Sequence, residues 1–162
     1  MTGRERLEQY LDQQDIPYQV LEHPLSFTAQ RTAEVEHISG RRVMKVVIVE
    51  AENRPVMVVV PATYQVDAEK VAAIIGVRQA RVAREEEFAG MFEDCEIGAM
   101  SPFGNLYRMP VYVDASFVEV ACVVFPAGTH TDCIALTYRD FARLVRPVVA
   151  DLVQTSHSCA SA

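Results

Sequence analysis

Lys45 interrupts an otherwise apolar run, Val43-Met44-Lys45-Val46-Val47-Ile48-Val49, and further along the chain stands the small-residue loop Gly98-Ala99-Met100-Ser101-Pro102-Phe103-Gly104. A charge in a buried strand is costly unless it is paired or reaches water. The lysine either lays its alkyl stem along the sheet with its head in solvent, or it serves an anionic ligand. The loop offers a second part, a stretch rich in backbone donors. Gly98 allows close approach there, and Pro102 donates nothing but stiffens the chain. An ordinary connecting turn is the competing reading of the same residues.

Most other catalytic signatures are absent. There is no Gly-x-Ser-x-Gly elbow, no glycine-rich loop ending in Gly-Lys-Ser/Thr, and no Gly-x-Gly-x-x-Gly after the first strand. Ser101 precedes a proline and lacks an evident base, so it does not read as a nucleophile. The four cysteines, Cys95, Cys122, Cys133 and Cys159, form no Cys-x-x-Cys pair, and Cys122 and Cys133 read as small core residues. His23, His37, His130 and His157 share no ligand spacing, so neither a metal nor another cofactor is expected.

The formal net charge of −7 argues against a broad basic nucleic-acid surface. Basic residues nevertheless gather in one segment, as Arg31, Arg41, Arg42 and Lys45, while acids collect at Glu85-Glu86-Glu87 and Glu93-Asp94. A basic mouth on an acidic body suits an enzyme that touches a short piece of a polyanion. A solvated face has an equal claim.

Periodicity supplies the elements that would hold these groups. Leu7, Tyr10 and Leu11 give a helix over 4–14, closed by Asp15-Ile16-Pro17. A short strand over 18–21, a turn at His23-Pro24 and a second helix over 28–36 follow. Two strong strands, 43–51 and 55–61, flank a hairpin loop at Glu52-Asn53-Arg54. Asp67 caps a helix that ends at Gly76, a brief strand covers 80–83, and an acidic helix covers 85–91. Residues 98–110 read as a loop. Strands at 111–114, 118–125 and 133–137 precede a last helix over 138–149, with Phe141, Leu144, Val145 and Val148 on its core face.

Hairpin-linked strands outnumber helices from the middle of the chain onward. The fold class is therefore α/β of the α+β type: a mixed, largely antiparallel sheet or partly closed barrel surrounded by helices. One domain over 1–152 and a flexible tail over 153–162 are expected from 162 residues with 50% hydrophobic content. The sequence shows no membrane-spanning run and no signal-peptide core, so a cytoplasmic protein is expected.

Taken in order, several segments together resemble the YbaK-type and prolyl-tRNA-synthetase-associated editing domains, which hydrolyse misacylated tRNA. They are His23-Pro24 with Phe27-Thr28-Ala29, Lys45 opening the first long strand, Val58-Val59-Val60-Pro61, Gly98 to Gly104, Val111-Tyr112-Val113-Asp114, and Ala127-Gly128 with His130. The resemblance implies an ester hydrolase whose Gly98 to Pro102 loop grips the aminoacyl end of a tRNA 3′ terminus, with backbone N–H groups of Ala99, Met100 and Ser101 facing the oxyanion. Lys45 would anchor a phosphate or carbonyl, and the substrate's own ribose hydroxyl would assist water. His23, Thr28, Arg31, His130 and Asp114 are the substrate-binding candidates. His23 and Thr28 serve equally well to fix the first turn, His130 is equally a turn residue, and Asp114 suits a cap for Ala115-Ser116. The chain departs from many relatives in carrying Phe92-Glu93-Asp94-Cys95-Glu96 before the loop, which either narrows the site or adds negative charge near it.

The implied activity is a trans-editing deacylase for tRNA-Pro carrying a small wrong amino acid. Its partners would be aminoacyl-tRNA and an associated synthetase, with no membrane. A non-catalytic module binding an aminoacyl-adenosine-like ligand, a tRNA end or a synthetase is the alternative, and an interaction scaffold is a third. Neither the amino acid, the tRNA nor the oligomeric state follows from the sequence.

Overall fold

The computed structural model describes residues 2–22 and 42–154. The helix expected over 28–36, the candidates His23, Thr28 and Arg31, and most of the expected tail lie outside these residues.

The first helix, α1 (Gly3–Gln13), begins with a capping box. Thr2 Oγ1 accepts from the Glu5 amide at 3.1 Å, and the Glu5 carboxylate accepts from the Thr2 amide at 2.9 Å. Its apolar face, Leu7 and Leu11, is buried in the core. The helix α2 (Ala68–Ile75) is bounded as its sequence dictates, with Asp67 accepting from the Glu69 and Lys70 amides and Gly76 in the left-handed conformation at φ 90°. The acidic stretch forms only one turn of α-helix, α3 (Glu85–Phe88), before tightening into a 3-10 turn over Ala89–Phe92. The last helix is α4 (Tyr138–Val145).

The strands divide into two sheets. β1 (Gln19–Glu22), β7 (Asp132–Thr137) and β6 (Cys122–Thr129) form an antiparallel sheet in the order β1-β7-β6. The other five stand in the order β4-β2-β3-β5-β8: β2 (Met44–Ala51), β3 (Arg54–Pro61), β4 (Ala80–Val82), β5 (Val111–Asp114) and β8 (Val148–Ala150). The β2–β3 hairpin turns on Glu52 and Asn53, both at positive φ, so Arg54 already pairs with Ala51 rather than belonging to the loop. β5 pairs in parallel with both β3 and β8, while the other pairs are antiparallel. The result is the expected mixed α+β architecture. The two sheets meet at a parallel bridge between Val43 and Val124, where the Val124 amide donates to Arg42 O at 2.9 Å.

Three local expectations change. The segment expected as a strand from Val118 opens instead as a 3-10 turn over Ala115–Glu119, because the Asp114 carboxylate caps it, and β6 begins only at Cys122. The last helix stops at Val145. Arg146 takes a left-handed φ of 52°, and Pro147 supplies no amide to continue it. Val148 therefore lies not on a helical core face but on edge strand β8, 47% exposed. Cys133 is buried as expected, whereas Cys122, at the start of β6, is exposed.

The main core lies between the sheets and α1 and α4. Phe103, Phe117, Phe125 and Phe141 are its largest fully enclosed side chains. A second cluster of Val49, Val56, Val58, Val60, Val71 and Leu152 packs on the other face of the five-stranded sheet beneath α2. No helix among the described residues is long and apolar enough to cross a membrane.

Candidate active site

Alternation along β2 sets the direction of Lys45. Met44 and Ile48 enter the main core, so Lys45 shares the opposite face with Val47 and Val49, across from Val60 of β3. The side chain is half-buried, and burial pushes its ammonium pKa down from the ordinary lysine value. Among the described residues it has neither an acidic nor a hydrogen-bonding partner.

The loop that follows the 3-10 turn of Ala89–Phe92 is held by backbone bonds, one within it and two to the end of β6. Gly98 takes φ 85°, a left-handed conformation that favours glycine, and a Cβ there would stand 3.5 Å from the His130 ring. The Ala99 amide donates to Glu96 O at 3.0 Å, Glu96 N donates to Gly128 O at 2.7 Å, and Gly128 N donates to Ala99 O at 2.8 Å. The end of β6 thus holds the loop from both sides.

From Ala99 to Gly104 the chain is buried, unusual for a segment without regular structure. Met100 and Phe103 anchor it in the core. The use of the Ala99 amide corrects one expectation: that N–H closes the turn and cannot also face an oxyanion. The amides of Met100 and Ser101 donate to no described acceptor. Ser101 is only 4% exposed, and its hydroxyl likewise has no partner among the described residues. Buried polar groups are almost always satisfied, so this cluster of donors calls for an oxygen that none of the described residues supplies.

β6 links the lysine to the loop. The start of β2 lies beside it at Val124 and the loop is bonded to it at Gly128, four residues on and a rise of about 13 Å. Lys45 and the Met100 side chain sit on opposite faces of β2, so backbone rather than side-chain contact joins the two parts. The described clefts of about 590 and 630 Å³ lie around Glu52 at the hairpin end of the large sheet, and neither Lys45 nor the loop lines them.

His130, in the β6–β7 turn, is exposed. Its ring Nε2–H donates to Ile97 O at 2.9 Å, and its backbone N–H donates to the Glu96 carboxylate at 2.6 Å. It thus braces the residue before Gly98. Glu96 is a participant that motif reading missed, since its partner lies on another element and no spacing signals it.

Asp114 is buried, and both its oxygens are engaged. Oδ1 accepts from the Leu152 amide at 2.9 Å, and Oδ2 accepts from the amide and hydroxyl of Ser116 at 3.1 and 2.6 Å. Its place among substrate-binding candidates gives way to a structural one. Asp114→Ala is expected to cost about 1–3 kcal/mol by orphaning the buried Leu152 amide. Urea unfolding checks the loss, and an unchanged KM for substrate would separate it from a binding role.

The fold is shared with solved structures of low sequence identity. One is a proposed trans-editing enzyme for prolyl tRNA synthetase, 22% identical over 95% of this chain and 98% of that one, with a TM-score of 0.83. A hypothetical protein is 18% identical over 91% and 99%, also at 0.83. A proposed signal transduction protein from Marinobacter aquaeolei VT8 is 14% identical, with a TM-score of 0.73, over 93% of this chain but only 31% of that longer one. The aminoacyl-tRNA editing domain family matches residues 23–144, most of the chain, and the chain belongs to that family.

Proposed function

We propose that this protein is an aminoacyl-tRNA deacylase that acts in trans, hydrolysing the ester of mischarged tRNA. The observation that carries the reading is the buried donor cluster at Met100 and Ser101, held by Gly98 and β6, in a chain of the editing family. An aminoacyl ester is already activated, so hydrolysis needs an oriented water and stabilisation of the oxyanion formed on attack. The two amides meet the second need. Lys45 supplies positive charge for a phosphate or carbonyl of the tRNA 3′ end, and its lowered pKa reflects the desolvation that strengthens such an interaction. The substrate's ribose hydroxyl orients the water, which accounts for a site with no protein base among the described residues. tRNA-Pro carrying a small non-cognate amino acid is the proposed substrate, supported by the structural likeness to a proposed trans-editing enzyme for prolyl tRNA synthetase.

The test is release of amino acid from alanyl-, cysteinyl- and seryl-tRNA-Pro by the purified protein. Turnover of at least one, sensitive to Gly98→Val, is expected. Background rates on all three, with saturable binding of the tRNA end, would replace the enzyme with a binding module.

A further inference from the structure

The segment that carries the loop begins at Asp94 and returns at Tyr107, and α1 grips both ends. The Tyr107 hydroxyl donates to Asp94 Oδ1 at 2.9 Å, closing the neck directly. Arg6 spans it a second time. One guanidinium nitrogen donates to Asp94 Oδ2 at 3.4 Å and the other to Leu106 O, while the guanidinium lies over the Tyr107 ring, 4.8 Å from its centroid. At the helix start, the Gly3 amide donates to Asp94 O at 2.6 Å, in a contact so close that a Cβ on Gly3 would stand 2.6 Å from Cys95 Sγ. Two bonds from α1 therefore end on Asp94, four residues before Gly98.

We propose that Arg6, Asp94 and Tyr107 form a clamp that holds the Gly98–Pro102 loop in register for ester hydrolysis, each acting as a positioning residue. This rests on the deacylase reading above. Asp94 is the residue whose charge was expected to bear on the pocket, and the clamp absorbs that charge in Arg6 and Tyr107. The N-terminal helix lies outside the matched residues 23–144, so this control on the loop comes from a part of the chain that the family match does not include.

An ion pair whose arginine is 41% exposed contributes little to global stability, whereas displacing an oxyanion donor acts on the transition state. Arg6→Ala should therefore lower kcat about tenfold or more with KM changed less than about twofold, while the thermal midpoint stays within about 4 °C. Arg6→Lys should recover only part of the rate, because an ammonium cannot serve Asp94 and Leu106 O with the fork geometry of arginine. A local readout independent of turnover is alkylation of Cys95, whose thiol lies within hydrogen-bonding distance of Asp94 and Tyr107 and is pushed up to about 11, chiefly by burial. In a Cys122→Ser, Cys159→Ser background, Arg6→Ala and Tyr107→Phe should label faster at Cys95 than the parent once each rate is divided by that variant's own thiolate fraction, since losing Arg6 or Tyr107 also raises the thiol pKa.

Unchanged kcat in Arg6→Ala, or a loss of rate no greater than the loss of folded protein, would overturn the clamp and leave the deacylase reading standing. A parent without turnover on any mischarged tRNA would sink the deacylase reading instead. Cys95 labelling would then still judge the clamp, and equal rates per thiolate would refute it.

Discussion

Lys45→Met is expected to abolish deacylation while leaving the folded chain at least as stable as the wild type. The two effects have one cause. Lys45 is half-buried on the face of β2 opposite Met44, without a partner among the described residues, and burial lowers its pKa. On the proposed reading its charge disfavours the free protein and is of use only when an anionic or carbonyl group is bound. Methionine fills similar space without that penalty. A loss of roughly a hundredfold in kcat/KM, about 2.7 kcal/mol, is the expected scale for removing a charge that pairs with the bound tRNA end.

The pH dependence follows with a definite sign. Below the folded-state pKa the amine is protonated in both folded and unfolded chains, and the cost of burying it is fully present. Between that pKa and the unperturbed 10.5 the unfolded chain binds more protons, so wild-type stability rises with pH across this window. The stability advantage of Lys45→Met should therefore be largest near neutrality and shrink towards pH 10. Urea titrations at pH 7 and pH 10 measure it. A variant less stable than wild type at pH 7 that still hydrolyses mischarged tRNA would refute this account of the lysine.

The second large effect belongs to Phe103. It directly follows Pro102, is fully buried, and meets Phe125 and Phe141 at ring-centroid distances of 5.6 Å each and Tyr10 at 6.1 Å. One side chain thereby ties the loop to β6, α4 and α1. Phe103→Ala is expected to cost about 3–5 kcal/mol, because it loses the buried ring and leaves a cavity bounded by three other rings that cannot all move inward. Phe103→Leu, which keeps most of the volume, should cost roughly half as much. A shift in denaturation midpoint at constant m-value is the measurement. A cost under about 1 kcal/mol for the alanine variant would mean that the rings do not interlock as described.

What the sequence made legible was local. The apolar runs of β2 and β3, the Asp67 cap and the Gly76 stop each carry their signal within a few residues, and each element stands where that signal puts it. The glycine and proline of the 98–102 loop marked it as irregular, and Lys45 was conspicuous because charge is rare in such a run. Failures came where a distant partner decided the outcome. Val148 continues the apolar spacing of α4, but Pro147 breaks the helix and β5 offers a parallel edge, so the residue pairs in a strand. The 92–96 segment reads as narrowing a site or adding charge to it, and the pairing of its Asp94 with Arg6 stays hidden because Arg6 stands far away in sequence. The Ala99 amide looked available because its use depends on the turn geometry at Glu96, which no spacing reveals.

The parallel pairing of β5 with β8 has a consequence for how the protein is made. β8 and the residues after it close the structure over elements synthesised much earlier: Leu152 O accepts from the Asp67 amide at 2.8 Å, and Gln154 N donates to Gln65 O at 2.8 Å. Until residue 154 has left the ribosome, Asp114 Oδ1 and the Asp67 amide lack their Leu152 partners and one edge of β5 stays open. That edge of β5 therefore stays unpaired until the 148–154 segment docks, which makes closure of the large sheet a late folding step.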